Sequence, residues 1–350
     1  MRVLIVRLSS LGDIVHALPV AACIRQAFPN AIIDWVVDER NADFLSLVPS
    51  LDRVITLRTR SRPWLLGFLE CCRILRARSY DVALDVQGLA KSALLAHLCG
   101  AERVIGFKTP FLRERWAGFF YTETVDPGEP IHVIEQNLGL LTSLGVQSET
   151  WDFPIAKVKR EVFSRVQVFI DRVGSRFVVL NPNSAWPNKC WPTEKFGALA
   201  FRMYQLYQLK SVVLWGPEEK VRAQAVVSAS NGTALLAPPS DLETLVELVR
   251  AGTILVSGDT GPLHIAAAVG TPVVGIYGPS DPARNGPWSA KDVVVSRFRS
   301  CHCNREKKLH RSFGHAVRRC RSSMWCLDDI TVEDVGAAIE DRLEGRLSSA

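Results

Sequence analysis

Residues 3–19 read VLIVRLSSLGDIVHALP. Val3–Val6 is a run of aliphatic residues without polar alternation, the pattern of a strand covered on both faces. Ser9, Ser10 and Gly12 follow as turn residues, Asp13 marks a helix start, and an apolar helical pattern continues from Ile14 to Phe28. Strand, short polar turn and helix make up the first part of a βαβ unit, and such units build parallel sheets. The stretch also poses a question. A carboxylate at position 13 can cap the helix, and it stands where open α/β sheets bind ligands.

The rest of the chain repeats the alternation. Strand-like runs occur at Ile32–Val37, Val54–Leu57, Val82–Asp85 and Arg103–Phe107, and again at Phe177–Asn181, Val212–Trp215, Ala234–Leu236, Ile254–Ser257 and Val273–Tyr277. Helical patterns at Trp64–Arg78, Leu89–Leu98, Glu194–Tyr207, Glu218–Ser230 and Leu242–Ala251 separate them. The expected fold class is α/β: two doubly wound parallel sheets, each with its own core, facing a central cleft. The join falls near residues 150–176, which gives an N-terminal domain over 1–155 and a second domain over 156–330. An amphipathic helix from Val332 to Leu347 closes the chain, capped by Asp329 or Thr331. By analogy with other two-lobed proteins, this segment (331–350) is expected to pack back toward the N-terminal domain.

Composition agrees with two globular domains. The chain has 350 residues, 47% hydrophobic and 22% charged, long enough for two cores. Val3–Val6 is too short for a secretory core. The longest apolar reach, Leu263–Tyr277, is broken by Gly270 and Pro272 and falls short of the roughly 20 residues a membrane span needs. A cytoplasmic protein is expected. Cys23, Cys71, Cys72, Cys99 and Cys190 lie scattered in apolar segments and read as buried thiols. The net charge of +6 is local: residues 53–78 hold seven arginines against Glu70, and residues 297–321 hold nine basic residues against Glu306. Anionic partners at particular places fit that distribution, as do solvated helix faces.

Residues at the strand ends carry the polar chemistry. The first domain offers Ser10, Gly12 and Asp13 after its first strand, and Gln87, Gly88 and Lys91 after its fourth. Neither turn has the G-x-G-x-x-G or Walker pattern, which argues against nicotinamide and P-loop enzymes. The second domain offers Ser184 and Lys189 in NPNSAWPNKCWP (181–192) and Glu218 and Glu219 in WGPEEK (215–220). It also offers Asp259, Thr260, Gly261 and His264 in SGDTGPLHIAAAVGTP (257–272). Small residues opening a helix let backbone amides approach an anion, and Lys189 adds a positive charge, so a nucleotide-diphosphate site is expected there.

In order, MRVLIVRLSSLGDIVHALP, IDWVVDE, YDVALDVQGLAKSAL, HVIEQ, NKCWP, WGPEE and SGDTGPLHIAAAVGTPVVGIYGPSDP resemble the ADP-heptose:lipopolysaccharide heptosyltransferases, glycosyltransferase family nine. The likeness covers nearly the whole chain and runs closest to the members that add the first heptose. It implies a GT-B fold and an inverting, metal-independent transfer of heptose from ADP-heptose, the donor substrate, with no cofactor. The implied acceptor is a 3-deoxy-octulosonic acid (Kdo) residue of the lipopolysaccharide inner core, carried on Kdo2-lipid A or a related anionic glycolipid. The implied place is the inner membrane's cytoplasmic face, with no nucleic acid as partner. By the same resemblance Asp13 is the general base, and Ser184, Lys189, Asp259, Thr260, Gly261 and His264 hold the donor. Glu218 or Glu219 meets the ribose. Ser10, Gly12, Arg60, Arg62, Gln87, Lys91 and Arg113 face the acceptor.

The chain departs from that pattern at CHCNREKKLHRSFGHAVRRCRSSMWC (301–326). Cys301, Cys303, Cys320 and Cys326 there are candidate structural zinc ligands, although their spacing is not that of paired C-x2-C knuckles. The other reading is a basic, solvent-facing loop with reduced thiols, able to meet anionic lipid. Two further functions stay open: a family-nine transferase with another acceptor, and a non-catalytic nucleotide-sugar binder.

Overall fold

The structure, a computed structural model, describes residues 1–128, 132–147, 152–302 and 326–344. The chain divides into two compact units, 1–156 and 157–350.

The first unit runs β1 (Arg2–Val6), α1 (Leu11–Val15), α2 (Leu18–Ala27), β2 (Ile32–Asp38), α3 (Ala42–Leu45), β3 (Arg53–Leu57) and α4 (Trp64–Arg76). It continues with β4 (Val82–Asp85), α5 (Ala90–Leu98), β5 (Arg103–Phe107), β6 (Glu123–Val125) and α6 (Val133–Gly139). Its six strands are parallel in the order β3-β2-β1-β4-β5-β6. The helix expected over Ile14–Phe28 is two helices. Pro19 falls in the first turn of α2, where its missing N–H and fixed φ suit a helix start rather than an interior.

The second unit runs α7 (Arg160–Val173), β7 (Phe177–Asn181), α8 (Thr193–Tyr207), β8 (Lys210–Val213), α9 (Lys220–Ser228), β9 (Ala234–Leu236) and α10 (Leu242–Ala251). Next come β10 (Ile254–Gly258), α11 (Gly261–Val269), β11 (Val273–Tyr277), α12 (Pro282–Asn285), β12 (Val293–Ser296) and α13 (Val332–Glu344). The sheet order is β12-β11-β10-β7-β8-β9, again all parallel. Counted from its own first strand, that is the order of the first unit.

Each sheet buries a separate core. Leu4, Val6, Val36, Phe68, Leu75 and Leu95 belong to the first, and Val178, Leu180, Trp191, Phe196, Met203 and Val256 to the second. Each such side chain taken fully from water contributes about 1.5–3 kcal/mol. Helix α13, which analogy sends toward the first domain, places Val335, Ala338 and Ile339 in the second unit's core. Its start is a reciprocal cap: the Asp334 amide donates to Thr331 Oγ1 at 3.0 Å, and the Thr331 amide donates to Asp334 Oδ2 at 3.1 Å.

Two strands, β6 and β12, extend the ten expected ones. Each is an outermost strand of its sheet. The carboxyl ends of the inner strands lie level, Val6 opposite Val36 and Asp85, and Ser257 opposite Asn181. Strand order reverses between β1 and β4, and between β7 and β10, so each sheet opens a crevice beyond those ends.

Candidate functional site

In the first unit the crevice is built on a buried guanidinium. Arg7 directly follows β1, is 3% exposed, and donates from Nη1 to the Val86 carbonyl after β4. Its Nη2 lies 2.9 Å from Asp13 Oδ1. Arg113 Nη2 meets the same oxygen at 3.1 Å, while Asp13 Oδ2 accepts from the Ser10 amide at 3.1 Å and the Ser10 hydroxyl at 2.9 Å. Asp13 therefore caps α1 and is clamped by two cations. Burial by itself would raise its carboxyl. The charges of Arg7 and Arg113 and the Ser10 amide outweigh that and hold it far below the usual carboxylate range.

Neighbouring turns are fastened to this centre. Gln87 Oε1 accepts from the Leu8 amide at 2.7 Å. Asp85, fully buried, takes the Gln87 amide, the Ser92 hydroxyl and the Tyr121 hydroxyl, the last at 2.7 Å. The loop bearing Arg113 is pinned by Glu114, whose amide donates to the Gly88 carbonyl at 3.1 Å and whose Oε2 accepts from the Ala90 amide at 2.8 Å. Gly12 is buried within α1. Arg60, Arg62 and Lys91 are exposed. Arg60 and its neighbours are held by backbone: Glu39 Oε1 accepts from the amides of Thr59, Arg60 and Ser61. Arg62 pairs with Glu70 at 3.1 Å. Of the expected residues, Ser10, Asp13 and Arg113 are in direct contact, and Gln87 joins them through Leu8.

Sequence reasoning passed over Arg7, His16 and His132. Arg7 looks like a charge flanking a strand. The two imidazoles, both buried, meet edge to face at 5.7 Å one turn along from Asp13, and Asn137 donates to the His16 carbonyl at 3.1 Å.

In the second unit the crevice holds a Lys–Asp–His cluster. Lys189 Nζ lies 2.6 Å from Asp259 Oδ2, and His264 Nε2 lies 3.1 Å from Asp259 Oδ1. Lys189 also sits over the Trp186 ring, 4.8 Å from its centre. Burial pushes the Asp259 carboxyl up. The hydrogen bond from His264 and the charge of Lys189 prevail and keep it well below the ordinary range. A Cβ on Gly258 would stand 2.8 Å from the Lys189 carbonyl. Glycine there lets the lysine's short helical turn, Pro187–Lys189, lie against the end of β10.

Thr260 is the N-cap of α11, but its hydroxyl takes part in a side-chain network. It accepts from Asn181 Nδ2 at 2.9 Å and contacts Ser257 Oγ at 2.9 Å. No side chain caps α11, and Pro262 stands in its first turn. The amides of Gly261 and Leu263 thus open this helix beside Lys189, an arrangement suited to an anion. Ser184 Oγ accepts from the Trp186 amide at 3.3 Å, and Asn183 Nδ2 holds the loop to the Leu214 carbonyl at 3.1 Å. The two glutamates separate. Glu219 Oε2 accepts from the Gly216 amide at 2.9 Å, whereas Glu218 is exposed with φ +69°, left-handed backbone costly for a side-chain-bearing residue.

Cys301 Sγ and Cys326 Sγ lie 3.3 Å apart, and Cys303 and Cys320 lie outside the described residues. Among the described residues no group of three or more His, Cys, Asp or Glu side chains is placed to hold a metal ion, and no helix is long and apolar enough to cross a membrane. The five scattered cysteines are buried, and burial pushes the Cys71 thiol up to about 12.

Two parallel sheets of one topology, with an uncapped helix start and a lysine at the second switch point, form the frame of a GT-B glycosyltransferase. The chain belongs to glycosyltransferase family 9 (heptosyltransferase), whose family pattern matches residues 69–314. It is 30% identical over 313 residues to lipopolysaccharide heptosyltransferase 1 of Pseudomonas aeruginosa, covering 86% of this chain and 85% of that one. The solved structure of E. coli heptosyltransferase WaaC with ADP matches with a TM-score of 0.77 and 26% identity, over 98% of this chain and 100% of that one. WaaC with ADP-2-deoxy-2-fluoro heptose matches with a TM-score of 0.74 and 26% identity, over 97% and 99%.

Proposed function

We propose that this protein transfers heptose from ADP-heptose, with inversion, to a Kdo residue of the lipopolysaccharide inner core on lipid A, at the cytoplasmic face of the inner membrane. The observation that carries the donor half is the Lys189–Asp259–His264 cluster at the open start of α11. The related WaaC structures contain ADP and a fluorinated ADP-heptose.

The acceptor hydroxyl attacks the anomeric carbon, the bond to the diphosphate breaks, and ADP departs with the electron pair. Positive potential from the first amides of α11 and from Lys189 stabilises the departing charge, so the step calls for no metal ion. Asp259 and His264 fix the lysine and the heptose, Ser184 and Thr260 line the phosphates, and the exposed Glu218 is assigned to the ribose. In the first unit Asp13 takes the proton of the attacking hydroxyl. Clamped by Arg7 and Arg113, it is a weak base, and it accepts the proton late, as the oxygen becomes acidic. Ser10, Gln87, Arg113, Lys91, Arg60 and Arg62 meet the acidic acceptor, and Gly12 keeps the turn of Asp13 close.

The direct test mixes the protein with ADP-heptose and Kdo2-lipid A and measures ADP release. Release dependent on acceptor is expected, and no release above the acceptor-free control overturns the proposal. The pH profile gives a second check. Asp13 must be ionised to act, and its carboxyl is held far below the usual range, so kcat/KM should stay flat from about pH 8 down to about pH 5. Arg113→Ala removes a stabilising cation, which raises the carboxyl's pKa and moves the acid limb to higher pH, with Arg7 still keeping Asp13 ionised near neutrality. An acid limb that, followed below about pH 5, coincides in variant and wild type would remove Arg113 from this role.

A further inference from the structure

Helix α4 is apolar on the wrong side as well as the right one. Phe68, Cys71, Cys72 and Leu75 face the first unit's core. Leu65, Leu66 and Leu69 lie outside that core face and are 57%, 57% and 55% exposed, and Trp64 at the first turn is 52% exposed. Clustered exposed leucines on a helix that already has a core face mark a surface that meets something. Beyond α5, which packs against both α4 and the turn Arg115–Phe120, Trp116 and Phe119 are 71% and 77% exposed.

Arginines outnumber acids around this face, where Glu39 is bonded to the loop Thr59–Ser61. Arg58, Arg60, Arg73 and Arg76 are exposed, and the one acid of residues 53–78, Glu70, is already paired with Arg62. The arginine loop lies directly on the helix: a Cβ on Gly67 would stand 1.7 Å from the Arg58 carbonyl. Leucines and tryptophans bordered by arginines have the make-up of a segment lying in a lipid headgroup region. At 13 residues, α4 is too short to cross a bilayer.

We propose that the outer face of α4, with Trp116 and Phe119, is a docking surface for an anionic lipid bilayer. The apolar side chains enter the headgroup boundary and the arginines meet lipid phosphates. The proposal deepens the functional reading above, since it names the surface that brings the enzyme to a lipid-borne acceptor.

The test is flotation of the full chain with vesicles of phosphatidylcholine, with and without phosphatidylglycerol. Binding to the anionic vesicles is expected, falling at least about tenfold when salt rises from about 0.05 M to about 0.5 M. The double variant Leu65→Asp, Leu69→Asp should bind at least about tenfold more weakly, with unchanged ADP affinity and melting temperature. Arg73→Gln with Arg76→Gln should weaken binding to anionic vesicles alone. Transfer to a Kdo acceptor freed of its lipid should be unaltered in the leucine variant, while transfer to the vesicle-borne acceptor falls. If wild-type protein transfers to neither acceptor yet still floats with anionic vesicles, the activity reading fails and the docking surface stands. Equal flotation of wild type and leucine variant overturns the docking surface. So does a concentration-dependent dimer, lost in that variant, from a protein that ignores vesicles, because the face then belongs to a second copy of the chain.

Discussion

Asp13→Ala is expected to lower kcat about 10²–10⁴-fold, the usual contribution of a positioned general base, while ADP binds with unaltered affinity. The two measurements separate the halves of the proposed reaction, which gives proton acceptance to the first unit and nucleotide binding to the second. The substitution also strips buried Arg7 of a counter-charge 2.9 Å away, leaving Arg7 the Val86 carbonyl. Removing one partner of a buried pair costs about 3–5 kcal/mol, so a lower melting temperature accompanies the loss of rate. Asp13→Asn controls for side-chain volume and for the contact with Ser10, from which its one oxygen still accepts, while Arg7 loses its counter-charge as it does in the Ala variant. A slow but well-folded Asn variant isolates the missing charge. Full activity in Asp13→Asn would sink the assignment.

Lys189→Met should weaken ADP binding by about tenfold or more and lower kcat about 10²–10³-fold, the range for removing one oriented donor from a developing anion. Lys189 also serves the apo protein, for it is 2.6 Å from the nearly buried Asp259. The linkage has a definite sign. The Asp259 carboxyl is held below its unfolded value of about 3.9, so its contribution to stability is present above about pH 4 and lost as pH falls toward the folded value. In Lys189→Met the folded carboxyl rises and part of that contribution disappears. Calorimetric melting against pH should therefore show a smaller acid-dependent change for the variant. Lys189→Arg should recover part of the ADP affinity and little of the rate, since a planar guanidinium does not replace an ammonium in a loop packed against Gly258.

The inner strands of both sheets were legible because a strand covered on two faces is an unbroken apolar run, as at Val3–Val6 and Val273–Tyr277. Two of the four edge strands, β6 and β12, were not. β6 has three residues, one of them buried, and β12 has four with none fully buried. Each becomes a strand by pairing with β5 or β11, a non-local event with little imprint on its own residues. The polar turns at strand ends named Asp13, Lys189, Asp259 and His264 in advance. Their mutual distances came from the fold, since the separation of 70 positions from Lys189 to Asp259 is spanned only once β7 pairs with β10. Arg7 escaped notice because a single arginine after an apolar strand has no pattern. Its meaning depends on burial beneath a carboxylate six residues on.

The shared strand order has a consequence for inheritance. Each half completes its own sheet around its own core, and each carries one cluster of polar residues at the same topological position. Under the proposed division of roles, substitutions that retune which sugar is received fall within 1–156 and leave the core of the other half untouched. A hybrid spliced between Ala156 and Lys157 would then keep the donor of one parent and take the recipient of the other.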